Sequence, residues 1–168
     1  MATVLLGIGS NVNREENIAS GLQALRGELG AFRCSPVYES AAVGFDGDPF
    51  LNLVIQIDTS LAVAELRHYL RALENDFGRV RACDKFSSRT LDVDILTYDN
   101  AVGVIDGVSL PRDEILTNAF VLKPLADLVP DAVHPQAGRS YAVLWADYPN
   151  HSQSLWLAEF QISDSDFI

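Results

Sequence analysis

Cysteine, methionine and positive charge are scarce in this 168-residue chain, which holds two Cys, one Met and 12 Lys or Arg against 23 Asp or Glu. Cys34 and Cys83 stand far apart, and neither has a second Cys or a His at metal-ligand spacing. That excludes a Cys/His zinc module and a disulfide-stapled scaffold. No apolar run approaches the roughly 20 residues of a membrane-spanning helix, and Met1-Ala2-Thr3-Val4 lacks the basic opening of a secretory leader. A formal net charge of −11 argues against a nucleic-acid partner, because such proteins carry a basic stripe that neutralises phosphates. The expectation is a cytoplasmic protein with neither membrane nor nucleic-acid partners.

What the chain does have is enough apolar material for one core. Hydrophobic residues make up 48% of it, and a domain of about 150 residues buries roughly 70% of the surface its unfolded chain exposes. No repeat, low-complexity tract or linker divides it, so residues 1–168 read as a single domain, with 151–168 a C-terminal extension or edge strand. One local exception to the acidic balance stands out. Arg79, Arg81, Lys85 and Arg89 cluster with only Asp84 opposing them, and a basic island on an acidic protein suits a small anionic ligand.

Val4-Leu5-Leu6 predicts a buried strand that runs into a turn over Gly7 to Asn11. Asn13, with Glu16 three places on, has the form of a reciprocal helix cap, and Ile18, Leu22, Leu25 and Leu29 continue at helical spacing. A strand over Cys34 to Glu39 and a loop over Ala42 to Pro49 follow. Phe50 to Asp58 alternates, with Leu51, Leu53, Ile55 and Ile57 on one side and Phe50, Asn52, Val54 and Gln56 on the other. Ser60 then precedes a helix carrying Leu66, Leu70, Leu73 and Phe77 and closed by Gly78. Leu91 to Tyr98 alternates again. The order strand, helix, strand, strand, helix, strand implies an α+β domain whose antiparallel or mixed sheet carries helices on one face. Beyond it we expect a short strand near Val102 to Ile105, a docking segment at Asn118 to Leu128, a helical turn at Tyr141 to Trp145 and a strand within Leu155 to Ile162.

The sharpest chemical feature is Arg89-Thr90-Leu91-Asp92-Val93-Asp94. Two carboxylates two residues apart on a strand face the same way, and their repulsion calls for a cation. Such hard oxygen donors suit Mg²⁺, which takes one or two carboxylates and leaves other positions for water and phosphates. A bare Asp-x-Asp is more often a solvated strand face; Arg89 and the upstream island tilt the reading toward phosphoryl transfer, which depends on neutralisation and alignment. Gly7-x-Gly9 meets Val12 where a dinucleotide fingerprint needs glycine, and no Gly-Lys-Ser/Thr occurs, so any nucleotide binds without a P-loop. Phe50 and Asn52 share a strand face and combine an aromatic plane with a carboxamide, a pair suited to a flat heterocycle and equally to ordinary strand composition. His68, His134 and His151 are scattered, and His68, within a helix, reads as a surface or packing residue before a catalytic one.

Gly9-Ser10-Asn11, Pro36-Val37-Tyr38-Glu39-Ser40, Phe50-Leu51-Asn52, Gly78-Arg79-Val80-Arg81, Arg89-Thr90-Leu91-Asp92-Val93-Asp94-Ile95-Leu96 and Phe120-Val121-Leu122-Lys123-Pro124-Leu125 follow one another in order. In this the chain resembles the 6-hydroxymethyl-7,8-dihydropterin pyrophosphokinase family over about Val4 to Pro135. The resemblance implies a ferredoxin-like α+β sandwich with a mainly antiparallel sheet. It also implies transfer of pyrophosphate from ATP to the hydroxymethyl group of a reduced pterin, in folate biosynthesis. Asp92 and Asp94 then resemble ligands of two Mg²⁺ ions. Phe50 and Phe120 resemble the aromatic pair around the pterin, Asn52 reads its edge, and backbone near Ser40 and Val43 assists. Arg79 and Arg89 resemble the catalytic-loop arginines, while Glu74, Arg81 and Arg112 fall on the nucleotide side.

Three departures touch that nucleotide side. Pro111-Arg112 stands for the family's Pro-His, Asn118 for an Arg, and Phe86 for a Trp. Two alternatives therefore accompany the enzyme reading: a catalytically weakened paralogue that binds pterin or nucleotide, and an interaction module on the same scaffold.

Overall fold

The computed structural model describes residues 1–41, 48–78, 90–149 and 154–163. Strand β1 (Ala2–Ser10) leads to helix α1 (Arg14–Leu29), and the chain returns through β2 (Arg33–Cys34), β3 (Tyr38–Ser40) and β4 (Phe50–Thr59). Helix α2 (Val63–Asp76) precedes β5 (Asp92–Tyr98) and a separate hairpin of β6 (Gly103–Ile105) and β7 (Val108–Leu110). Helices α3 (Glu114–Thr117), α4 (Ala119–Leu128) and α5 (Tyr141–Ala146) follow, and β8 (Leu155–Leu157) comes last. The sheet order is β5-β1-β4-β3-β8, with β2 also paired to β4 and every pairing antiparallel. This is the α+β sandwich with an antiparallel sheet that the sequence implies.

Alternation along the strands sorts the core into two layers. Val4, Leu6 and Ile8, Leu51, Leu53, Ile55 and Ile57, and Val93 and Ile95 point to one face, where Ile18, Leu22 and Leu25 of α1 and Leu66, Leu70 and Leu73 of α2 cover them. Burial of such side chains contributes about 1.5–3 kcal/mol each, and this face carries most of the apolar area. Leu5, Val54 and Leu96 point the other way and are covered by Ile115 of α3 and Val121, Leu122 and Leu125 of α4. The segment expected to dock on the core thus adds a layer on the second face. It covers only part of that face.

Several boundaries differ from the sequence expectation. Strand β1 continues through Gly7 to Ser10 instead of turning there, because β4 and β5 pair with it along its length. Asn13 is left-handed (φ 41°) and makes no side-chain cap; Asn17 instead donates Nδ2 to the Val12 carbonyl at 2.6 Å. The strand expected over Cys34 to Glu39 breaks into β2 and β3 at Ser35-Pro36-Val37. At α2, Glu65 accepts from the Ala62 amide at 3.0 Å and closes the first turn, a cap that begins two residues later than Ser60 suggested. The last strand is three residues, and 158–162 leave the sheet.

Candidate active site

Register across the sheet decides which side chains meet. Asp92 lies opposite Gly9, Gly9 opposite Asn52, and Asn52 opposite Tyr38, so these four form one row. The neighbouring row runs Asp94, Gly7, Val54, and on the other side Phe50 faces Ser40. Both carboxylates, the carboxamide and the Phe50 ring therefore rise from the same face, on the part that α3 and α4 leave uncovered.

Between them the floor is glycine. A Cβ on Gly9 would stand 3.5 Å from Asn52 Oδ1 and 3.8 Å from Phe50 Cδ1, and one on Gly7 would press on Leu96 Cδ2 at 3.3 Å. Any longer side chain at Gly9 would fill the gap separating the amide from Asp92. The Gly-x-Gly pair that fails as a dinucleotide motif thus has another use: it bares the central strand between two functional edges. Alternation of glycine with apolar residues in a strand is the sequence signal for it, and the preference of glycine for turns masks that signal.

The two edges are built differently. On the β4 edge, buried Asn52 donates Nδ2 to Ser40 Oγ at 2.8 Å, which fixes the amide plane and leaves Oδ1 over the Gly9 floor. Ser10 donates to the Thr90 carbonyl at 2.6 Å and Asn11 donates Nδ2 to the Asp48 carbonyl at 3.1 Å. The Ser10-Asn11 pair therefore fastens the entrances of β5 and β4 to the end of β1, a role that strand patterning does not display. Tyr38 donates its hydroxyl to Asp127 of α4, and Lys123 holds the other Asp127 oxygen at 2.9 Å. Burial, then Asp127, push the Tyr38 phenol upward, so it stays neutral.

On the β5 edge the groups are charged. Burial and the adjacent Asp92 push the Asp94 carboxyl up to about 8, Glu114 and Glu74 add to the push, and Arg112 opposes it. Arg112 enters after the cis Leu110–Pro111 peptide and donates its amide to the Leu96 carbonyl at 2.9 Å. Its guanidinium lies 3.7 Å from Asp94 Oδ1 and 3.4 Å from Glu114 Oε1. Burial works against that charge, but Asp94, Glu114 and Asp92 outweigh it and hold the Arg112 pKa above its ordinary value. Arg112 Nε is buried with no hydrogen-bond partner among the described residues. A buried donor of this kind is costly unless an anion completes it. Glu74, from α2, accepts the Val93 amide at 2.9 Å and so braces the strand between the two aspartates from behind.

Asp92, Asp94, Asn52, Ser40 and Phe50 share one face, and Arg112 reaches Asp94. Phe120, half-buried as the second residue of α4, packs with the cluster on that same face. Arg79, Arg81, Arg89 and Val43 lie outside the described residues, as does Phe86. Among the described residues no three or more His, Cys, Asp or Glu side chains form a metal cluster, so a cation held by Asp92 and Asp94 would complete its shell with water and ligand oxygens. That donor set fits Mg²⁺: two hard carboxylates whose mutual repulsion a divalent ion relieves. No helix among the described residues is long and apolar enough to cross a membrane.

Fold and site together define a class: an antiparallel α+β domain whose bared central strand sets a carboxylate pair across from a fixed amide, equipped for a cation and a flat polar ligand. Residues 5–130 match the model of the 7,8-dihydro-6-hydroxymethylpterin-pyrophosphokinase family, and the chain belongs to that family. It is 37% identical over 150 residues to the 2-amino-4-hydroxy-6-hydroxymethyldihydropteridine pyrophosphokinase of Pseudomonas aeruginosa, covering 87% of this chain and 91% of that one. It is 33% identical over 152 residues to the folic acid synthesis protein of Pneumocystis carinii, covering 88% of this chain but spanning only 20% of that longer protein. The crystal structure of wild-type Plasmodium falciparum HPPK-DHPS with pteroate shares the fold, with a TM-score of 0.66 at 13% identity over 88% of this chain and 42% of that one.

Proposed function

We propose that this protein transfers pyrophosphate from ATP to the hydroxymethyl group of 6-hydroxymethyl-7,8-dihydropterin, a step of folate biosynthesis that it carries out in the cytoplasm. The observation that carries the reading is the row Asp92–Gly9–Asn52: a paired-carboxylate edge and a hydrogen-bonded amide edge on one sheet face, with bare backbone between. In the reaction the pterin hydroxyl oxygen attacks the β-phosphorus of ATP, the bond from that phosphorus to the α–β bridging oxygen breaks, AMP leaves, and the hydroxyl proton passes to solvent. Asp92 and Asp94 are the side chains that would hold Mg²⁺, two ions by the family resemblance, and the metal supplies neutralisation of phosphate charge.

The chain's own residues do the rest. Asn52, fixed by Ser40, pairs with the donor and acceptor edge of the pterin, while Phe50 and Phe120 take its two faces, and backbone near Ser40 and Val43 adds further contacts. Arg112, with its unsatisfied Nε, offers a permanent fork to a nucleotide phosphate, and Glu74 sets the strand that carries the aspartates. Arg79, Arg81 and Arg89 complete the phosphate side in this reading.

The deciding experiment is a coupled assay of AMP release with reduced pterin, ATP and Mg²⁺. Turnover that requires all three is expected. ATP consumption indifferent to the pterin would reject the transfer, and pterin binding without AMP release would leave a binding protein on the scaffold.

A further inference from the structure

We infer that the C-terminal segment Leu155–Ile162 is a positioning strap for the pterin-reading edge, with Gln161 as its main fastening; the inference rests on the pterin reading above. The segment lies outside residues 5–130, which the family model matches.

The need for a strap arises at Ser35-Pro36-Val37. There Ser35 donates its amide to the Val54 carbonyl at 2.8 Å and accepts the Val54 amide on its own Oγ at 2.9 Å, so a side chain replaces one rung of the ladder. The backbone of Val37, whose side chain is fully buried, finds its partners on the tail instead. Gln161 accepts the Val37 amide on Oε1 at 2.8 Å and donates Nε2 to the Val37 carbonyl at 2.9 Å and to the Ala158 carbonyl at 2.8 Å. Ala158 donates its amide to the same Val37 carbonyl at 3.0 Å. One carboxamide thus imitates both halves of a strand residue.

From that anchor β8 runs along β3, with Leu157 opposite Tyr38, Trp156 opposite Glu39 and Leu155 opposite Ser40. Trp156 donates Nε1 to Glu39 Oε2 at 3.0 Å, while Arg14 holds Glu39 Oε1 at 2.9 Å. Phe160 and Ile162 pack on the α1–α2 layer and keep the strap from lifting. Ser40, which fixes the Asn52 amide, is therefore held from both sides: by β4 through Phe50 and by β8 through Leu155. A three-residue strand paired on one side only frays; paired on both, it presents a constant edge.

The test is Gln161→Met, which keeps bulk and removes all three side-chain hydrogen bonds, beside Trp156→Phe, which removes only the link to Glu39. In the full-length protein the pterin KM is expected to rise about tenfold in Gln161→Met, since the Val37 amide and the Ala158 carbonyl lose their Gln161 partner while the Val37 carbonyl keeps only Ala158, a cost large enough to account for it. ATP affinity measured without pterin should stay within about twofold of wild type on the same grounds, kcat at saturating pterin should change little, and Trp156→Phe should show a smaller effect of the same kind. Amide exchange at Tyr38 to Ser40 should accelerate in Gln161→Met. A parallel loss of ATP and pterin affinity, or an unchanged pterin KM with faster exchange, would overturn the positioning role. Should the wild type bind no pterin, the functional reading falls by itself, and unchanged exchange at Tyr38 to Ser40 would overturn the strap independently.

Discussion

The two edges of the site stand on the same sheet face, yet they are held in opposite ways. The Asn52 edge is neutral: its amide, the Ser40 hydroxyl and the Tyr38 phenol are buried or hydrogen-bonded, and none changes charge near neutral pH. The Asp94 edge sets Asp92, Asp94 and Glu114 about one guanidinium, and Glu74 adds its charge to Asp94 from behind the strand. One edge is already hydrogen-bonded and neutral, and the other is an unbalanced charge cluster, the arrangement the proposed cation and phosphates would balance. Shape recognition can be preformed cheaply with neutral hydrogen bonds, whereas a site for a metal and phosphates must carry excess charge when empty.

That contrast can be broken most sharply at Asp94. Asp94→Asn is expected to lower AMP release by at least about 100-fold, the scale of losing one aligned electrostatic contact in a transfer site, while pterin binding persists. The same substitution relieves like-charge repulsion, so the metal-free protein should melt at a higher temperature than wild type at pH 8. A variant that loses turnover and Tm together would mean that Asp94 holds the fold instead.

The next effect separates the edges by pH. A carboxyl raised from 3.8 to about 8 binds its proton more tightly in the folded state, so the associated penalty is absent below about pH 4, grows between pH 4 and 8 and is complete above. Metal-free stability should therefore decline across that window, and the stabilisation gained from added Mg²⁺ should increase across it. Pterin-edge variants should not alter this profile. A flat Mg²⁺ response from pH 5 to pH 8 would contradict the cluster.

Two smaller effects concern the neutral edge and the altered cation. Phe120→Ala should weaken pterin binding more than ATP binding, by about 0.5–1.5 kcal/mol beyond the lost burial area, as calorimetry would show. Arg112→His combined with Asn118→Arg restores the family's pattern, and the expected gain in ATP affinity is about 10- to 100-fold, the worth of one charge-assisted contact. Equal affinity in the two proteins would show that Arg112 already serves the phosphate fully.

Much of this was legible from alternation. Leu51, Leu53, Ile55 and Ile57 declared the core side of β4, and Asp92 and Asp94 could only face away from Val93 and Ile95. Strand periodicity reports which face a residue takes, however, and says nothing of where a strand stops. Gly7 and Gly9 read as turn residues because glycine is favoured there, and only pairing with strands 40 to 90 residues away keeps them extended. The Asn13 cap failed for a related reason: local hydrogen bonding was decided by Asn17 and Val12. The register that sets Asn52 across from Asp92, and the attachment of Gln161 to Val37, are non-local and left no periodic trace. Arg79, Arg81, Arg89 and Val43 fall outside the described residues.

The bond between Glu74 and the Val93 amide carries a consequence for the protein in a crowded cell. Strand β5 ends the sheet, and an outermost strand with open amides can recruit a strand from another chain. A carboxylate from α2 occupies one such amide at the midpoint between the two aspartates, and the aspartates themselves add charge that a second strand would have to desolvate. The same acidic grouping therefore works against self-association of the sheet, and a cation held by Asp92 and Asp94, as proposed, would remove part of that protection.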